Sequence, residues 1–415
     1  MNILMISESN FPSDIRVSQE ALTLMACGHR IAAIAIQGRS EKLHEDWKGI
    51  HIYRIPKVEL FRRGKQTKAK PENGWIQRLS VVAKAAIGYG FEYFYFTSAG
   101  FILSLWICLR HRIDVVHTHN PPDTLFLIAG FYKMIGKKFV YDHHDLSPDL
   151  FLTKYGENRK IIYRFLLLLE RVSCRTADYI IATNESYKRI EMERCGVPEN
   201  KVFVVRNGPD LNIMKIVDPD EAIRNMAKTI LCYLGAINVQ DGVDNLLKVM
   251  HKIVHHLGKK DVCLLIIGEG DFFYEIQRLT SHMNLQQNVI LTGHVADRGR
   301  INTLLSSADI FVDSAPQTFL NDHSTFIKNT EYLIFGKPIV SYALRESMNT
   351  LQDAGVFVTP GDTEEFARTI VELIRDEKRR ERLGRLARER VLSLSWKQVS
   401  KPLIALYEEL LHDTI

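Results

Sequence analysis

The chain has 415 residues, 46% of them hydrophobic and 25% charged, with 54 basic side chains against 49 acidic ones and a formal net charge of +5. That length suits two domains of about 200 residues each better than one core. The composition excludes a disordered chain and a membrane bundle, and the slight basic excess falls well short of a nucleic-acid binder.

Short apolar runs alternate with amphipathic segments almost from end to end. Candidate strands of the first half are 2–7, 30–36, 50–55, 113–119, 138–142, 178–183 and 201–205; the second half continues with 230–235, 262–268, 288–293, 309–313, 338–342 and 356–359. They lack polar/apolar alternation, as strands covered on both faces do. Between them the spacing predicts helices: in 243–257, Val243, Leu246, Leu247, Met250, Ile253, Val254 and Leu257 share one face. Such alternation builds parallel sheets with right-handed crossovers. Two blocks joined near 207–222 imply an α/β chain of two Rossmann-like domains facing each other.

One segment breaks the rhythm. Residues 61–84 carry Arg62, Arg63, Lys65, Lys68, Lys70, Arg78 and Lys84 against a single Glu72, and the uncharged run 93–109 follows. It reads as a flexible basic loop before a core-facing helix, or as a monotopic patch touching anionic lipid. The six cysteines, Cys27, Cys108, Cys174, Cys195, Cys232 and Cys263, are widely spaced, with no C-x-x-C pair. They read as small buried hydrophobes of a reducing compartment. With no basic leader before the first strand, a cytoplasmic location is expected.

In open parallel sheets, ligands bind beyond the carboxyl ends of the strands, where helix N-termini converge. After the first strand, the 7–14 loop opens a helix with Asp14 and Arg16 in its first turn. Arg16 is placed for a phosphate or sugar hydroxyl, or Ser13 or Asp14 is simply an N-cap. In His117-Thr118-His119 the two histidines are expected on opposite sides of the strand, leaving His119, nearer the loop, for the site or as a bonded core residue. The run Asp142-His143-His144-Asp145 suits a loop meeting a sugar or an acceptor, or metal ligands together with His119; no ligand spacing favours the metal. In 319–342, Lys328 precedes Glu331 by three residues, so on a helix both share a face. A cation at a helix N-terminus is an anion site, and a carboxylate one turn on can take a ribose diol. A surface ion pair would show the same spacing.

Taken in order, these segments resemble the retaining family 4 glycosyltransferases of the GT-B fold. The resemblance rests on D-x-R-V-x-x-E-A with a later G-H (Asp14, Arg16, Val17, Glu20, Ala21, Gly28, His29) and on D-V-V-H-x-H from Asp114 to His119. It continues through Asp142, His144 and Asp145, then Asn207, Gly208 and Asp210, then Gly268, Gly270 and Asp271. Glu331 to Val340 (E-Y-x-x-x-G-K-P-I-V), Ala354 to Asp362, and Trp396, Leu403 and Tyr407 complete it. The match spans nearly the whole chain.

The resemblance implies an acceptor domain (1–208), a nucleotide-sugar domain (209–393) and a helix returning to the first domain (394–415). It implies retaining, metal-independent transfer from a UDP- or GDP-sugar, with no cofactor. By position, Glu331 would hold the ribose and Lys328 the diphosphate. Gly268 would line the nucleotide pocket, His294 and Val295 would meet the base, and His119 would sit by the reacting carbon. Gly235, Gln240, Asp241, Asn321, Asp322, His323 and Ser324 complete the donor set. Asn10, Asp14, Arg16, Asp142, His144, Asp145, Arg206 and Asn207 are the acceptor or sugar contacts, and Arg206 and Arg298 are further candidate phosphate cations.

Two departures stand out. Where many members carry G-R-L-x-x-x-K-G, this chain has Ala236 and Asp241 in place of the basic pair. Two lost charge-assisted bonds cost on the order of two to four decades of affinity, which Lys328 is expected to offset. The Gln240-Asp241-Gly242-Val243-Asp244 stretch resembles enzymes of bacterial surface-polysaccharide synthesis. His323 stands where the first glutamate of the usual pair falls, so Asn321 or Asp322 reads the sugar hydroxyls, or that contact is absent. The expected acceptor is a polyprenyl-diphosphate-linked glycan, with peripheral contact through 61–109 at the inner face of the plasma membrane. The rivals are a nucleotide-sugar epimerase of the same layout and a non-catalytic subunit of a polysaccharide assembly complex.

Overall fold

The structure, a computed structural model, describes residues 1–38, 41–58, 75–156, 159–211 and 213–412, the segment 75–89 as backbone only. The chain divides into two compact units, Met1–Val205 with Ser400–Ile415, and Arg206–Val399. The sequence expectation puts the junctions at 208/209 and 393/394; the division of the fold falls at 205/206 and 399/400.

Unit 1 holds strands β1 (Asn2–Ser7), β2 (Arg30–Ile36), β3 (His44–Trp47), β4 (Ile50–Ile55), β5 (Val115–His119), β6 (Lys138–His143), β7 (Tyr179–Ala182) and β8 (Val202–Val204). They form one sheet in the order β3-β4-β2-β1-β5-β6-β7-β8. The apolar runs explain the burial: Ile3, Leu4, Met5 and Ile6 of β1 are each at most 1% exposed, as a doubly covered strand requires. Pairing is parallel except for β3, which runs antiparallel to β4. This edge strand, His-Glu-Asp-Trp, was not anticipated, because it is polar and, among the described residues, pairs only with the strand that follows it across a Lys48-Gly49 turn.

The strand order reverses at β1/β5, so the loops leaving these two strands face the crevice of the sheet. The helix Ile15–Ala26 follows β1, capped by the Asp14 carboxylate and burying Val17, Ala21 and Leu24. Gly28, at φ 86°, ends it in a conformation that L side chains resist. The helix Lys401–His412 belongs to unit 1, into which it buries Leu403, Leu406, Tyr407 and Leu410 at helical spacing.

The segment before β5 is the 36-residue helix Trp75–Arg110. Arg78 and Lys84 therefore belong to a helix and not to a loop, whereas Arg62, Arg63, Lys65, Lys68 and Lys70 lie outside the described residues. Its Gly90–Arg110 stretch is long and apolar enough to cross a membrane, and 28% of it is buried. Phe96 and Ile107 face the core, while Phe94 (70%), Ile102 (68%) and Leu109 (88%) are exposed. A purely core-facing helix is thus not what forms.

Unit 2 holds β9 (Thr229–Leu234), β10 (Val262–Ile267), β11 (Val289–Leu291), β12 (Ile310–Asp313), β13 (Ile339–Tyr342) and β14 (Gly355–Val358). They order as β11-β10-β9-β12-β13-β14, all parallel, with the reversal at β9/β12. The 243–257 segment folds as the helix Val243–His251 continued by a π turn to His256. Six of its seven stripe residues are buried and Leu257 packs against them. Four cysteines are buried as expected; Cys27 is exposed and Cys108 half-buried, and all six are free thiols.

Candidate active site

Each unit gathers expected residues at its own switch point. In unit 2, the loop after β9 and the loop after β10 touch backbone to backbone. A Cβ on Gly268 would fall 1.9 Å from the Gly235 carbonyl oxygen, and Gly268 and Gly293 form an isolated bridge. Only glycine permits this approach at φ 149° and 139° for Gly235 and Gly268. The result is a wall of bare backbone at the strand ends.

Lys328 and Glu331 lie on the helix Ile327–Ile334, as the spacing predicts. The Lys328 side chain runs under Gly235, with its Cε 3.4 Å from where a Cβ would stand there. Its ammonium is not bare. Nζ donates to the Tyr233 hydroxyl at 3.1 Å and faces Asp313 Oδ1 at 3.4 Å. Burial pulls its pKa down, but Asp313 and Asp241 outweigh that and leave it above the ordinary lysine range. Asp313 ends β12 and Tyr233 lies inside β9; sequence reading missed both, although Asp313 closes an apolar strand run at the reversal point.

Glu331 does not pair with Lys328. Its carboxylate lies 3.8 Å from Arg298 Nη1. Burial raises its pKa to about 7, and Arg298 offsets only part of the shift. A carboxyl held near half-ionisation has few bonds of its own and strong reason to accept hydroxyl donors.

The remaining donor-set residues are tied into the scaffold. Asp241 caps its own turn by accepting from Asn238 N at 3.0 Å. Asn321 Nδ2 donates to the carbonyls of Gln240 (2.9 Å) and Pro316 (2.8 Å). Asp322 accepts from Arg345 N at 2.9 Å. His323 Nδ1 bonds the Phe319 carbonyl at 2.8 Å, and Ser324 N–H closes that short helix onto Leu320. His294 is exposed, and Val295 packs against the unit 2 core. Arg206 is anchored to Thr350 Oγ1 (3.0 Å) and Glu346 (3.4 Å), and with half-buried Asn207 it falls in unit 2 rather than in unit 1, where the sequence expectation put both.

In unit 1, the loops after β1, β5 and β6 meet. Asp14 is both the N-cap of its helix and the partner of Arg16, whose Nη2 lies 3.2 Å away. Asn10 is exposed, and its carbonyl accepts from Asp14 N at 2.8 Å. Asn120 clips the two later loops together: Oδ1 accepts from His144 N (2.6 Å) and Asp145 N (3.1 Å) while Nδ2 donates to Asp145 O (2.7 Å).

The histidines correct the expectation. Residues two apart on a strand share a face, and the rings of His117 and His119 stack at 4.4 Å on one side of the sheet. His119 Nδ1 lies 3.1 Å from Asp142 Oδ2, with His144 Nε2 3.0 Å from the same oxygen. Burial lowers the His119 pKa to about 4, further depressed by His117, so the ring is neutral. Burial would raise Asp142, but His144, His117 and His119 together hold it well below the carboxylate range. Glu20, quoted only as part of a motif, is buried in this group, as is Tyr407, whose hydroxyl lies 3.0 Å from His117 Nδ1.

Comparison with known proteins agrees across both units. Residues 19–213 match the family described as Glycosyltransferase Family 4, and 216–390 match Glycosyl transferases group 1. A phosphatidyl-myo-inositol mannosyltransferase of Mycobacterium leprae is 27% identical over 71% of this chain and 73% of its own. An N-acetyl-alpha-D-glucosaminyl L-malate synthase of Bacillus anthracis is 23% identical over 74% and 77%. Among solved structures, sucrose-phosphate synthase of Thermosynechococcus elongatus superposes with a TM-score of 0.69 at 17% identity over the full length of both chains. The Anabaena protein HepE, solved with UDP, gives 0.67 at 15% identity over 99% of this chain and 100% of its own. With two parallel-sheet units and family matches running from residue 19 to 390, the chain belongs to the family 4 (group 1) glycosyltransferases and is a glycosyltransferase of the GT-B fold.

Proposed function

We propose that this enzyme takes its sugar from a UDP- or GDP-sugar bound by unit 2 and passes it, with retained configuration, to a lipid-linked glycan met by unit 1. The observation that carries the donor assignment is the glycine wall at the β9/β12 reversal, backed by the Lys328 and Glu331 helix. A side chain at Gly268 would force the two loops apart and one at Gly235 would press on Lys328, displacing the backbone amides and helix N-terminus that would stabilise a diphosphate. Glu331 would take the ribose diol, and Lys328 with those amides would meet the leaving diphosphate, so that fixed charge rather than a divalent ion stabilises it. The anomeric bond would loosen toward an oxocarbenium-like state, with the acceptor attacking on the face the diphosphate leaves.

The lipid-linked acceptor is supported by the exposed apolar face of the Gly90–Arg110 stretch and by the basic run 61–84 before it. The Mycobacterium leprae relative, by its name, acts on a phosphatidylinositol. A peripheral seat at the inner face of the plasma membrane and a role in bacterial surface-polysaccharide synthesis follow from the same reading.

The test is a transfer assay with UDP- and GDP-sugars and polyprenyl-diphosphate acceptors in the presence of a chelator, with NMR of the product's anomeric centre. Retained configuration at an unchanged rate is expected. Inversion, or dependence of the transfer step on added magnesium, would overturn the mechanism.

A further inference from the structure

Beneath the sugar-facing loops of unit 1 lies a group of side chains that no step of the transfer uses. Glu20 comes from the helix after β1, His117 and His119 from β5, and Asp142 from β6. They are 3%, 0%, 1% and 0% exposed. One donor atom from each lies within 4.8 Å of all the others.

Individual separations are shorter: His119 Nδ1 to Asp142 Oδ2 3.1 Å, His117 Nε2 to Glu20 Oε2 3.8 Å, His117 Nε2 to Asp142 Oδ2 3.9 Å and His119 Nδ1 to Glu20 Oε2 4.0 Å. A tetrahedral zinc ion with bonds of about 2.0–2.1 Å needs donor atoms about 3.4 Å apart. Three of these separations exceed that by about 0.4–0.6 Å and none within the group exceeds 4.8 Å, so side-chain rotation must close the group by several tenths of an ångström or more.

We propose that Glu20, His117, His119 and Asp142 bind one divalent transition cation of the zinc class inside unit 1. Two observations point to a ligand rather than a self-contained network. Glu20 Oε2 and His117 Nε2 are buried, aim into the group and have no hydrogen-bond partner, a costly state for polar atoms in a core. Two carboxylates lie in the same buried space, where like charges repel, and a dication beside two neutral imidazoles cancels them.

The surroundings match what ligands need. The Tyr407 hydroxyl lies 3.0 Å from the far nitrogen of His117, and His144 Nε2 supports Asp142 Oδ2 at 3.0 Å. Two imidazoles select zinc, cobalt or nickel over magnesium or calcium. Metal on His119 Nδ1 fixes the proton on Nε2, leaving that nitrogen a donor. The site lies wholly in unit 1, so it stands or falls independently of metal-free chemistry at the unit 2 diphosphate.

The experiment is metal analysis of untagged, full-length protein after equilibration with Zn²⁺ and desalting. It is repeated in a His51→Gln background, because exposed His44 and Asp46 with half-buried His51 could also take metal. About one equivalent per chain is expected in both backgrounds, falling below about a tenth in Glu20→Gln and Asp142→Asn. A strong chelator should lower the unfolding midpoint by about 4 °C or more. Should those variants not fold, Co²⁺ loaded into the unaltered protein should show the intense visible absorption of tetrahedral coordination. Less than a tenth of an equivalent, metal lost with His51→Gln alone, or only the weak spectrum of octahedral Co²⁺ would overturn the proposal.

Discussion

Replacing Glu331 by Gln probes the donor site through its ionisation. Burial holds this carboxyl near a pKa of about 7, so at pH 7 about half is ionised, which costs binding only about 0.4 kcal/mol. Each further pH unit downward costs about 1.4 kcal/mol, a factor of ten. The amide keeps the shape but loses the charge. A charge-assisted hydrogen bond is worth about 1.5–3 kcal/mol, so Glu331→Gln should weaken nucleoside-diphosphate binding at pH 8 by roughly 10- to 150-fold. Calorimetric titration of UDP and GDP at pH 6, 7 and 8 reads both effects. In the unaltered enzyme, affinity should rise with pH and level off above about 7; in the variant, this dependence should vanish. A variant binding within twofold of the parent at pH 8, or a flat parental profile, would refute the ribose assignment. The same carboxyl affects folding. Its raised pKa favours the protonated folded state, so its contribution is full below the unfolded value of 4.5 and is lost as pH climbs toward 7.

Lys328→Met should weaken diphosphate binding by about tenfold or more, whereas Asp313→Asn should strengthen it per folded molecule by releasing the ammonium. Removing one partner of this buried pair should cost about 3–5 kcal/mol of stability, seen in denaturant titration. Opposite signs in the two titrations are the check; equal losses would argue that the pair is only structural. Gly268→Ala should lower the thermal midpoint and abolish nucleotide binding, because its Cβ would fall 1.9 Å from a backbone oxygen; an unchanged midpoint would count against the close approach. Sedimentation with vesicles should recover the protein with anionic lipid but not with neutral lipid, and Phe94→Glu with Ile102→Glu should reduce recovery severalfold. Equal recovery by the doubly substituted chain would remove the Gly90–Arg110 face from consideration.

The strands were legible because doubly covered parallel strands are continuous apolar runs, and β1, β2 and β4 end where the hydrophobic run ends. Strand β3 was not, since an antiparallel edge pairs on one side only and its polar side chains meet water. The Lys328/Glu331 helix was visible as a spacing. What spacing cannot show is partnership: that Lys328 is neutralised by Asp313 and bonds Tyr233, 95 residues earlier in the chain, and that Glu331 turns to Arg298. The His117/His119 pair was misread through the pleat itself. Glu20 and Tyr407 were quoted as motif letters, yet only the folded sheet brings them, from opposite ends of the chain, against one histidine.

That last convergence has a bearing on biosynthesis. Ribosomes deliver residues in order, so the first unit emerges without Leu403, Leu406, Tyr407 and Leu410, which fill its interior. It must wait, its seat for the late helix uncovered, while all of 206–399 is translated. Chaperone binding to stalled nascent chains should therefore persist until the final helix has left the exit tunnel.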